Sequence, residues 1–408
     1  MYLKKVCILG LGYIGLPTAA ILSKNKFRVF GVDIDPSVVN LINDGKVHIV
    51  EPGLDVLISE SVASGYLSAS CTPTKADIYM ICVPTPFYDR TGAVFPQPNV
   101  EYVLQAARSL LPIVEPGDLV ILESTSPVGT TKVISALFQE SGIDVSQISF
   151  AYCPERVLPG NILKELVDND RIVGGIDLKS TNSACEFYRS FVKGVIHASD
   201  SQTAELCKLV ENSYRDLNIA FANELALVCE KIGVNPLKLI ELANYHPRVN
   251  VLQPGIGVGG HCIAVDPWFL VSLDQENTNL IQTARAINDR RPKWVIDKII
   301  SVAQNWEKSK NAPPVIVCLG IAFKPNVDDL RGSPAFSIAK ELKNLGYEVL
   351  VVEPNITSLE NLKLIKASDI DLNNSLVVGL VKHSLFIDLV KRKQFSGALF
   401  IDFCGLTS

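Results

Sequence analysis

The opening segment of the chain combines two apolar runs, three spaced glycines and one acidic side chain. The run K-K-V-C-I-L (4–9) has the length of a β-strand, and G-L-G-Y-I-G (10–15) follows at once. Residues 16–25 fit a helix, and residues 27–34 form a second strand candidate that contains Asp33. This order of strand, G-x-G-x-x-G turn, helix and acid-bearing strand is typical of a dinucleotide-binding βαβ unit. It predicts a parallel α/β fold for the first part of the chain.

Each residue of this motif has a physical task. Gly10 permits the tight turn, Gly12 lets the backbone approach a pyrophosphate at the helix N-terminus, and Gly15 lets helix and strand pack closely. Asp33 accepts hydrogen bonds from a ribose 2′-hydroxyl and repels a 2′-phosphate, which favours NAD over NADP. The alternative is a glycine-rich turn without a ligand, and the surrounding strands and the acid disfavour it.

Further strand candidates lie at 77–84, 118–125 and 148–155, with helical segments between them. Alternating strands and helices predict a parallel sheet covered on both faces. Ligands bind beyond the carboxyl ends of such strands, so Thr85, Thr125 and Glu155 are expected to line the cofactor crevice. The alternative is ordinary turn chemistry, because Thr and Pro are common in loops.

Residues 204–233 contain no proline, end in a glycine and predict one long helix. Its polar residues Lys208, Asn212 and Arg215 are spaced i, i+4 and i+7, so they share one face. Spacing alone leaves two interpretations equally open: a solvated surface stripe, or the wall of a cleft between two domains. The apolar residues of the same helix are Leu206, Leu209, Val210, Leu217 and Phe221.

The second half of the chain predicts a second, smaller Rossmann-like domain. Its helical segments include 335–345, and its strand candidates are 315–323, 348–353, 375–381 and 398–403. Residues 291–314 are expected to hold a short helix and then a linker, because proline interrupts both ends of this segment. Lys324 and Arg331 have side chains that suit phosphates, arginine by bidentate contact.

Composition excludes several classes of protein. A chain of 408 residues with 48% hydrophobic residues predicts two or three domains with well-formed cores. A net charge of −5 argues against a nucleic-acid partner. The ten cysteines show neither zinc-site spacing nor a disulfide framework, so no metal is expected and most should be small core residues. No signal peptide or membrane span is evident, and a reduced cytoplasmic enzyme is expected.

One cysteine lies in a different setting. The segment G-V-G-G-H-C-I-A-V-D-P-W (257–268) places Cys262 after several glycines and four residues before Asp266. The glycines at 255, 257, 259 and 260 are expected to let the backbone approach a ligand closely. A nucleophilic cysteine near bound NAD can trap an aldehyde as a thiohemiacetal, and hydride transfer then gives a thioester that water hydrolyses. Such a thiolate needs partial exposure and nearby positive charge, which Lys208 can supply. On composition alone, a buried structural cysteine is the competing interpretation.

Several motifs in order resemble the UDP-glucose/GDP-mannose dehydrogenase family over essentially all of the chain. They are G-L-G-Y-I-G-L-P, C-V-P-T-P-F, E-S-T-S-P-V-G-T-T, Y-C-P-E-R-V-L-P-G, A-E-L-C-K-L-V-E-N-S-Y-R-D, G-V-G-G-H-C-I-A-V-D-P-W and F-K-P-N-V-D-D-L-R. The resemblance implies oxidation of a sugar C6 alcohol to a carboxylate with two NAD. It also implies two Rossmann-like doubly wound domains joined by a long central helix and a helical dimerisation region. The expected divisions are an NAD-binding domain (1–196), a central domain with the catalytic loop (197–292) and a UDP-sugar-binding domain (293–408), in a homodimer.

The resemblance also implies residue roles. Cys262 is the nucleophile of the second oxidation, and Lys208 stabilises an oxyanion and acts as acid or base. Asn212 and Asp266 complete the cluster; Asp266 and Thr125 handle a proton or a water, and Glu155 activates the hydrolytic water. Cofactor contacts are expected from Gly10, Gly12, Tyr13, Ile14, Gly15, Asp33, Thr85, Thr125 and Arg331.

Departures from the UDP-glucose pattern indicate the branch. P-E-R-V-L-P-G stands where UDP-glucose enzymes have P-E-F-L-x-E-G, so Pro159 replaces their second glutamate and the role of that glutamate does not transfer. In the cysteine segment, Val265 replaces a lysine and His261 replaces a serine. The segment N-Y-H-P-R-V-N-V-L-Q-P-G (244–255) resembles the branch that acts on UDP-N-acetyl-D-mannosamine, whose product feeds surface polysaccharides such as enterobacterial common antigen or capsules. The alternatives are UDP-N-acetylglucosamine and UDP-glucose. Substrate contacts are then implied for Arg156, Val157, Lys208, Asn212, Arg215, His246, Arg248, Gly257 and Lys324, with His246 and Arg248 reaching a neighbouring subunit's substrate.

Two other classes of function compete with this interpretation. A two-electron dehydrogenase, in which Cys262 is only structural, would yield one NADH per substrate. A catalytically inactive nucleotide-sugar sensor should have lost Lys208, Cys262 or Asp266, and all three are present.

Overall fold

The structure is a computed structural model that describes residues 4–88, 95–260, 262–392, 394–395 and 398–407. The chain divides into two compact units. Unit 1 comprises Met1–Glu211 with Trp268–Asp274, and unit 2 comprises Asn212–Pro267 with Gln275–Ser408.

Unit 1 is built on a largely parallel sheet. Its strand order is β3-β2-β1-β4-β5-β6-β7-β8, with β7 antiparallel to β6 and the other neighbours parallel. The elements are β1 (Lys5–Leu9), α1 (Gly15–Lys24), β2 (Arg28–Val32), α2 (Pro36–Asn43), α3 (Leu54–Ala63), β3 (Leu67–Ser70), β4 (Ile78–Ile81), α4 (Glu101–Leu110), β5 (Leu119–Leu122), α5 (Thr130–Glu140), β6 (Ser149–Tyr152), α6 (Ile162–Asp168), β7 (Arg171–Gly175), α7 (Leu178–Arg189) and β8 (Ile196–Asp200).

Alternation along the central strand explains why both faces of this sheet are covered. Val6 and Ile8 of β1 lie in one hydrophobic cluster, and Cys7 and Leu9 lie in another. Successive side chains of a strand point to opposite faces, so a strand that is apolar throughout needs a helical layer on each side. The predicted doubly wound sheet is confirmed, with strands a few residues shorter than the apolar runs.

Unit 2 contains the second sheet, in the parallel order β11-β10-β9-β12-β13. Its central strand repeats the same alternation, because Ile316 and Cys318 lie in one cluster and Val317 and Leu319 in another. The elements after β8 are α8 (Ser201–Ile232), α9 (Pro236–Ala243), α10 (Asp266–Leu273), α11 (Asn279–Lys310), β9 (Val315–Leu319), α12 (Pro334–Asn344), β10 (Val349–Val352), β11 (Lys363–Leu364), β12 (Ser375–Gly379), α13 (Ser384–Lys391) and β13 (Leu399–Asp402). The boundary between the units falls within α8, the predicted long helix.

The expectation for residues 291–314 is wrong. Instead of a short helix and a linker, α11 runs for 32 residues and contains Pro292. Proline removes one helical hydrogen bond and usually ends a helix. Here Val295, Ile299 and Ala303 beyond the proline are buried, and packing of this face outweighs the lost bond.

Candidate active site

The glycine turn after β1 divides into two structural glycines and one that leaves space. Gly10 has φ +93°, a conformation that favours glycine, and a Cβ there would lie 2.7 Å from the Cys82 carbonyl oxygen. A Cβ on Gly15 would overlap the Gly10 carbonyl oxygen, whereas a Cβ on Gly12 would meet nothing within 4 Å. In the described part of the chain no side chain caps α1. The N-terminus of α1 therefore adjoins open space suited to an anion.

Asp33 follows β2 and lies beside this turn. Its Oδ2 accepts a hydrogen bond from the Leu11 backbone N–H at 3.1 Å, and its Oδ1 accepts from the Asp35 N–H at 3.0 Å. A carboxylate has about four lone-pair positions, so each oxygen keeps capacity for a ribose hydroxyl. The turn, the open helix end and the oriented acid fit NAD.

The segments after β4 and β5 are joined at the expected edge of the sheet. The Thr85 hydroxyl donates to the Thr125 carbonyl oxygen at 2.6 Å, and the Ser124 hydroxyl donates to the Val83 carbonyl oxygen at 2.7 Å. These bonds hold the two predicted threonines side by side, beyond the carboxyl ends of neighbouring parallel strands.

Lys208 and Glu155 also meet within unit 1. Lys208 on α8 is only 6% exposed, and its Nζ donates to the Glu155 carbonyl oxygen at 2.5 Å and lies 3.8 Å from the Glu155 carboxylate. The Asn212 side chain is 8% exposed, while Arg215 is exposed. The polar face of α8 therefore splits: the solvated interpretation holds for Arg215 but is wrong for Lys208 and Asn212.

The segment after Glu155 is held by carboxylates. Arg156 makes a bidentate ion pair with Glu211, with Nε 3.0 Å and Nη2 2.8 Å from the carboxylate oxygens, and the Val157 N–H donates to the Glu155 carboxylate. Glu51, which sequence reasoning missed, is 7% exposed and accepts from the N–H groups of Gly160 and Ile162, each at 2.7 Å. The P-E-R-V-L-P-G loop is thus fixed at both ends.

A second set of buried groups was missed although its first member lies in a quoted motif. Glu123 is 3% exposed, and it accepts a hydrogen bond from the Tyr188 hydroxyl at 2.6 Å. Burial raises the pKa of Glu123, opposed chiefly by the Arg171 guanidinium, which is itself 2% exposed. Spacing cannot reveal these partners, because they are separated by dozens of residues.

In unit 2, Asp266 is the buried end of the segment 255–266, hereafter the cysteine loop, and it is held by Asn212 of α8. The Asn212 Nδ2 donates to the Asp266 Oδ2 at 2.5 Å, and Asp266 is 2% exposed. The Asp266 backbone N–H donates to the Cys262 carbonyl oxygen at 2.8 Å, one turn before α10 begins. Cys262 itself is exposed, so the competing interpretation of a buried structural cysteine is wrong for its environment. His261 lies outside the described residues.

Two of the loop glycines, Gly259 and Gly260, accommodate neighbouring protein, whereas a Cβ on Gly255 would meet nothing within 4 Å. A Cβ on Gly259 would meet the Gly332 carbonyl oxygen and lie 2.5 Å from the Pro334 Cδ. A Cβ on Gly260, where φ is +85°, would lie 2.9 Å from the Phe323 ring. The glycines thus let the loop pack against the segments that follow β9.

The remaining cysteines contrast with Cys262. Burial raises the pKa of Cys153 and of Cys318 to about 12 and that of Cys7 to about 11, so these thiols are inert at neutral pH. Cys71 is the other exposed cysteine. Five of the ten cysteines are buried, three are partly buried and two are exposed, so the expectation that most are core residues holds for only half of them.

The other expected substrate and cofactor residues of unit 2 lie in loops or on exposed surfaces. His246 and Arg248 are exposed in the turn after α9, where the Arg248 N–H donates to the His246 Nδ1 at 3.3 Å. Gly257 has φ +128°. The Lys324 amine lies 5.6 Å from the Phe323 ring centroid, and Arg331 pairs with the Asp329 carboxylate at 2.8 Å.

The described ranges contain neither a metal site nor a membrane-spanning helix. Their His, Cys, Asp and Glu side chains form no group able to hold a metal ion. No helix among them has the length and apolarity needed to cross a membrane.

Comparison with known proteins assigns the chain. Three models of the UDP-glucose/GDP-mannose dehydrogenase family match it: the NAD binding domain at 4–192, the central domain at 202–290 and the UDP binding domain at 317–407. The chain belongs to this family. It is an NAD-dependent nucleotide-sugar dehydrogenase, as the sequence predicted.

Individual relatives are similar over nearly their full length. The UDP-N-acetyl-D-mannosamine dehydrogenase of Campylobacter jejuni is 48% identical over 410 residues, covering 96% of this chain and 98% of that protein. The NDP-N-acetyl-D-galactosaminuronic acid dehydrogenase of Ralstonia nicotianae is 48% identical over 398 residues, covering 94% and 92%. The solved UDP-N-acetyl-mannosamine dehydrogenase Cap5O of Staphylococcus aureus has a TM-score of 0.89 at 38% identity, covering 99% of this chain and 96% of that one.

Proposed function

We propose that this enzyme oxidises UDP-N-acetyl-D-mannosamine at C6 to UDP-N-acetyl-D-mannosaminuronate, consuming two NAD and one water. Support for the substrate comes from the relatives in Campylobacter jejuni and Escherichia coli and from the solved Staphylococcus aureus enzyme, all named for this sugar. Support for the chemistry comes from one observation: Cys262 is exposed on a loop anchored by the buried Asp266. By contrast, burial raises the pKa of Cys7, Cys153 and Cys318.

Cys262 serves the second oxidation. Its sulfur adds to the carbonyl carbon of the C6 aldehyde, and the carbonyl oxygen takes a proton as the thiohemiacetal forms. Oxidation converts this adduct to a thioester, and water then displaces the sulfur to give the carboxylate and regenerate the thiol. Covalent capture splits a difficult oxidation into two easier steps and prevents release of the aldehyde.

Lys208, Glu155, Asn212 and Asp266 handle protons and charge. The buried Lys208 ammonium is oriented by the Glu155 carbonyl oxygen and stabilises negative charge on the sugar C6 oxygen. The Glu155 carboxylate activates the hydrolytic water, with Thr125 holding a water or proton nearby. Asn212 fixes the carboxylate of Asp266, which takes up the proton released during oxidation.

NAD is held by the glycine turn. Gly10, Gly12, Tyr13, Ile14 and Gly15 surround the open N-terminus of α1, and Asp33 receives the ribose hydroxyls. Thr85 and Thr125, joined beyond the carboxyl ends of β4 and β5, are assigned to the nicotinamide half of NAD. Arg331 is assigned as a further cofactor contact. Bound NAD supplies the hydride acceptor for each oxidation.

The sugar nucleotide carries a diphosphate and, after oxidation, a carboxylate. Arginine, lysine and histidine suit both groups. We assign these contacts to Arg156, Val157, Arg215, His246, Arg248, Gly257 and Lys324, with His246 and Arg248 serving a neighbouring subunit. We also propose an NAD-binding domain at 1–196, a central domain at 197–292 and a UDP-sugar-binding domain at 293–408.

A homodimer through α8 forms part of the proposal. Tyr214, Phe221 and Val228 are spaced seven residues apart on α8 and are 66%, 52% and 52% exposed. Ile232 is 66% exposed and continues the same stripe. Large apolar side chains repeated along one helical face are typical of an interface, and a second copy of the same helix offers a matching surface.

The decisive measurement is NADH produced per sugar. UDP-N-acetylmannosamine, UDP-N-acetylglucosamine, UDP-glucose and UDP-N-acetylgalactosamine are offered separately; the last tests the second candidate substrate, which the Ralstonia relative favours. Two NADH from the mannosamine sugar, and little from the others, is expected. Two NADH from another sugar would reassign the substrate, and one NADH would leave a two-electron dehydrogenase.

The Cys262→Ser variant tests the covalent step. Serine is a far poorer nucleophile at neutral pH, so this variant should stop after the first oxidation and release the aldehyde. Trapping with hydroxylamine and mass spectrometry detects that product. Full uronate production by the variant would refute the role of Cys262.

A further inference from the structure

A hydrogen-bonded network of buried polar side chains in unit 2 extends from α11 to the start of the cysteine loop. Asp216 and Asn223 lie on α8, and Arg285, Asn288 and Arg291 lie on α11. The first four are at most 1% exposed and Arg291 is 7% exposed. None of them carries a role in the chemistry described above.

Asn288 is the centre of this network. Its Nδ2 donates to the Asp216 Oδ1 at 2.8 Å and to the Asp216 carbonyl oxygen at 2.9 Å, while its Oδ1 accepts from the Asn223 Nδ2 at 2.9 Å. The Arg285 Nη1 holds the same Asp216 oxygen at 2.6 Å. Each donor therefore fixes the orientation of the next amide, and the Asn223 Oδ1 is oriented to accept a hydrogen bond from a group outside the network.

At one end of this network, Asn223 and Arg291 bind the backbone of Gly255. The Gly255 N–H donates to the Asn223 Oδ1 at 2.8 Å, and the Arg291 Nε donates to the Gly255 carbonyl oxygen at 2.9 Å. The Arg291 guanidinium also stacks on Trp294, 3.9 Å from its ring centroid, a cation–π contact that favours this orientation. Both backbone polar groups of the residue that opens the cysteine loop are thus fixed by side chains.

The loop then passes closely over α11. A Cβ on Gly257 would lie 3.1 Å from the Pro292 ring and 3.3 Å from the Asn288 carbonyl oxygen, the oxygen to which Pro292 cannot donate. At the other end, Asn212 fixes Asp266. Cys262 therefore lies on a segment whose two ends are both tied to buried asparagines of α8.

We propose that Asn223, Asn288 and Arg291 are positioning residues that place Cys262 for the second oxidation. The inference rests on the nucleophilic role proposed for Cys262. Stability alone does not account for this buried network. The Asp216 Oδ2, the Arg285 Nε and the Arg291 Nη1 have no hydrogen-bond partner among the described residues. A partly satisfied buried network is less favourable than an apolar core of the same shape. It is explained by the fixed loop geometry that it produces.

The first test separates the two oxidations. In Asn223→Ala, Gly255 loses its acceptor, and a shift of about 1 Å at the nucleophile lowers a rate by about 100-fold. We expect this loss for the aldehyde step, with the alcohol step within about threefold of the parent, so aldehyde accumulates in a hydroxylamine trap. Asn305→Ala, at an exposed asparagine of the same α11, is the control and should match the parent.

The second test needs no substrate. Iodoacetamide alkylation of Cys262 is measured by mass spectrometry relative to Cys71, the exposed cysteine of unit 1, in the same sample. Asn223→Ala should change this ratio at least threefold. Asn223→Asp keeps an acceptor for Gly255 but buries a charge against the Asn288 Oδ1. It should lower the melting temperature while keeping the aldehyde step within about tenfold, which a purely structural role would not give.

The outcomes distinguish the two proposals. Equal slowing of both oxidations in Asn223→Ala, or an unchanged alkylation ratio and aldehyde rate, would overturn the positioning role. If Asn223→Ala does not fold, Arg291→Lys provides the same test, because lysine keeps the charge but lacks the Nε donor. Completion of both oxidations by Cys262→Ser would overturn the proposed function and this inference together, whereas a stalled Cys262→Ser beside an unaffected Asn223→Ala overturns this inference alone.

Discussion

Alanine substitutions at two glycines of the same turn should separate folding from NAD binding: Gly15→Ala should lower stability, and Gly12→Ala should weaken NAD binding alone. A methyl group on Gly15 would lie 1.8 Å from the Gly10 carbonyl oxygen, where real contacts stay above 3.0 Å, so strand and helix must separate by about 1.2 Å. Overpacking of this size costs about 2–3 kcal/mol. For a unit of this size that lowers the melting temperature by about 5–10 °C.

Gly12→Ala should leave folding intact. Its methyl group would meet no atom within 4 Å, so the melting temperature without ligand should match the parent. The methyl would instead occupy the space before α1 where the pyrophosphate is expected. Loss of two backbone hydrogen bonds to a charged group, at about 1.5 kcal/mol each, weakens NAD binding by about 100-fold.

Differential scanning fluorimetry without ligand and calorimetric titration with NAD measure the two effects separately. The expected pattern is a lower melting temperature for Gly15→Ala, and a parental melting temperature with weak NAD binding for Gly12→Ala. Parental NAD affinity in Gly12→Ala would refute the assignment of this space to the pyrophosphate. A parental melting temperature in Gly15→Ala would refute the packing argument.

Three further predictions concern the cofactor, pH and assembly. Asp33→Ala should weaken NAD by about tenfold and relax the rejection of NADP, measured as the ratio of kcat/KM values; an unchanged ratio would exclude Asp33 as the ribose ligand. Burial raises the pKa of Glu205 above its ordinary 4.5 despite its bonds to Gly129 and Thr131. The folded protein therefore binds this proton more tightly, stability falls as pH rises above 4.5, and urea titrations should show a smaller fall in Glu205→Gln. Phe221→Asp should dissociate the homodimer in analytical ultracentrifugation, and a parental sedimentation coefficient would place the interface elsewhere.

The cofactor end of the molecule was the most predictable from sequence. β1, α1, β2 and Asp33 are contiguous, and their tasks follow from spacing and from the backbone freedom of glycine. Four strands of the second sheet were predictable for a similar reason, since each is a short apolar run bounded by turns, whereas the two-residue β11 was not predicted. Strand ends were overestimated by a few residues, because apolar runs continue past the last ladder hydrogen bond.

The cysteine loop was predicted only in part. Its resemblance to the family singled out Cys262 and Asp266, but its glycines were interpreted as room for a ligand. In the structure, Gly259 and Gly260 instead accommodate Gly332 and Phe323. The sequence cannot distinguish these cases, because both require the same missing side chain.

Sequence alone determined the strand, turn, helix and strand of the cofactor end and the identity of the chemical groups, since each depends on residues close by in the chain. Only the tertiary structure decided which polar residues are buried and with whom. Lys208 and Arg215 share a predicted helix face, yet one is buried against Glu155 and the other is exposed. Asn223 meets Asn288 across 65 residues of chain. Hydrogen bonds between such distant residues form only when packing brings their helices together, and no local pattern records that approach.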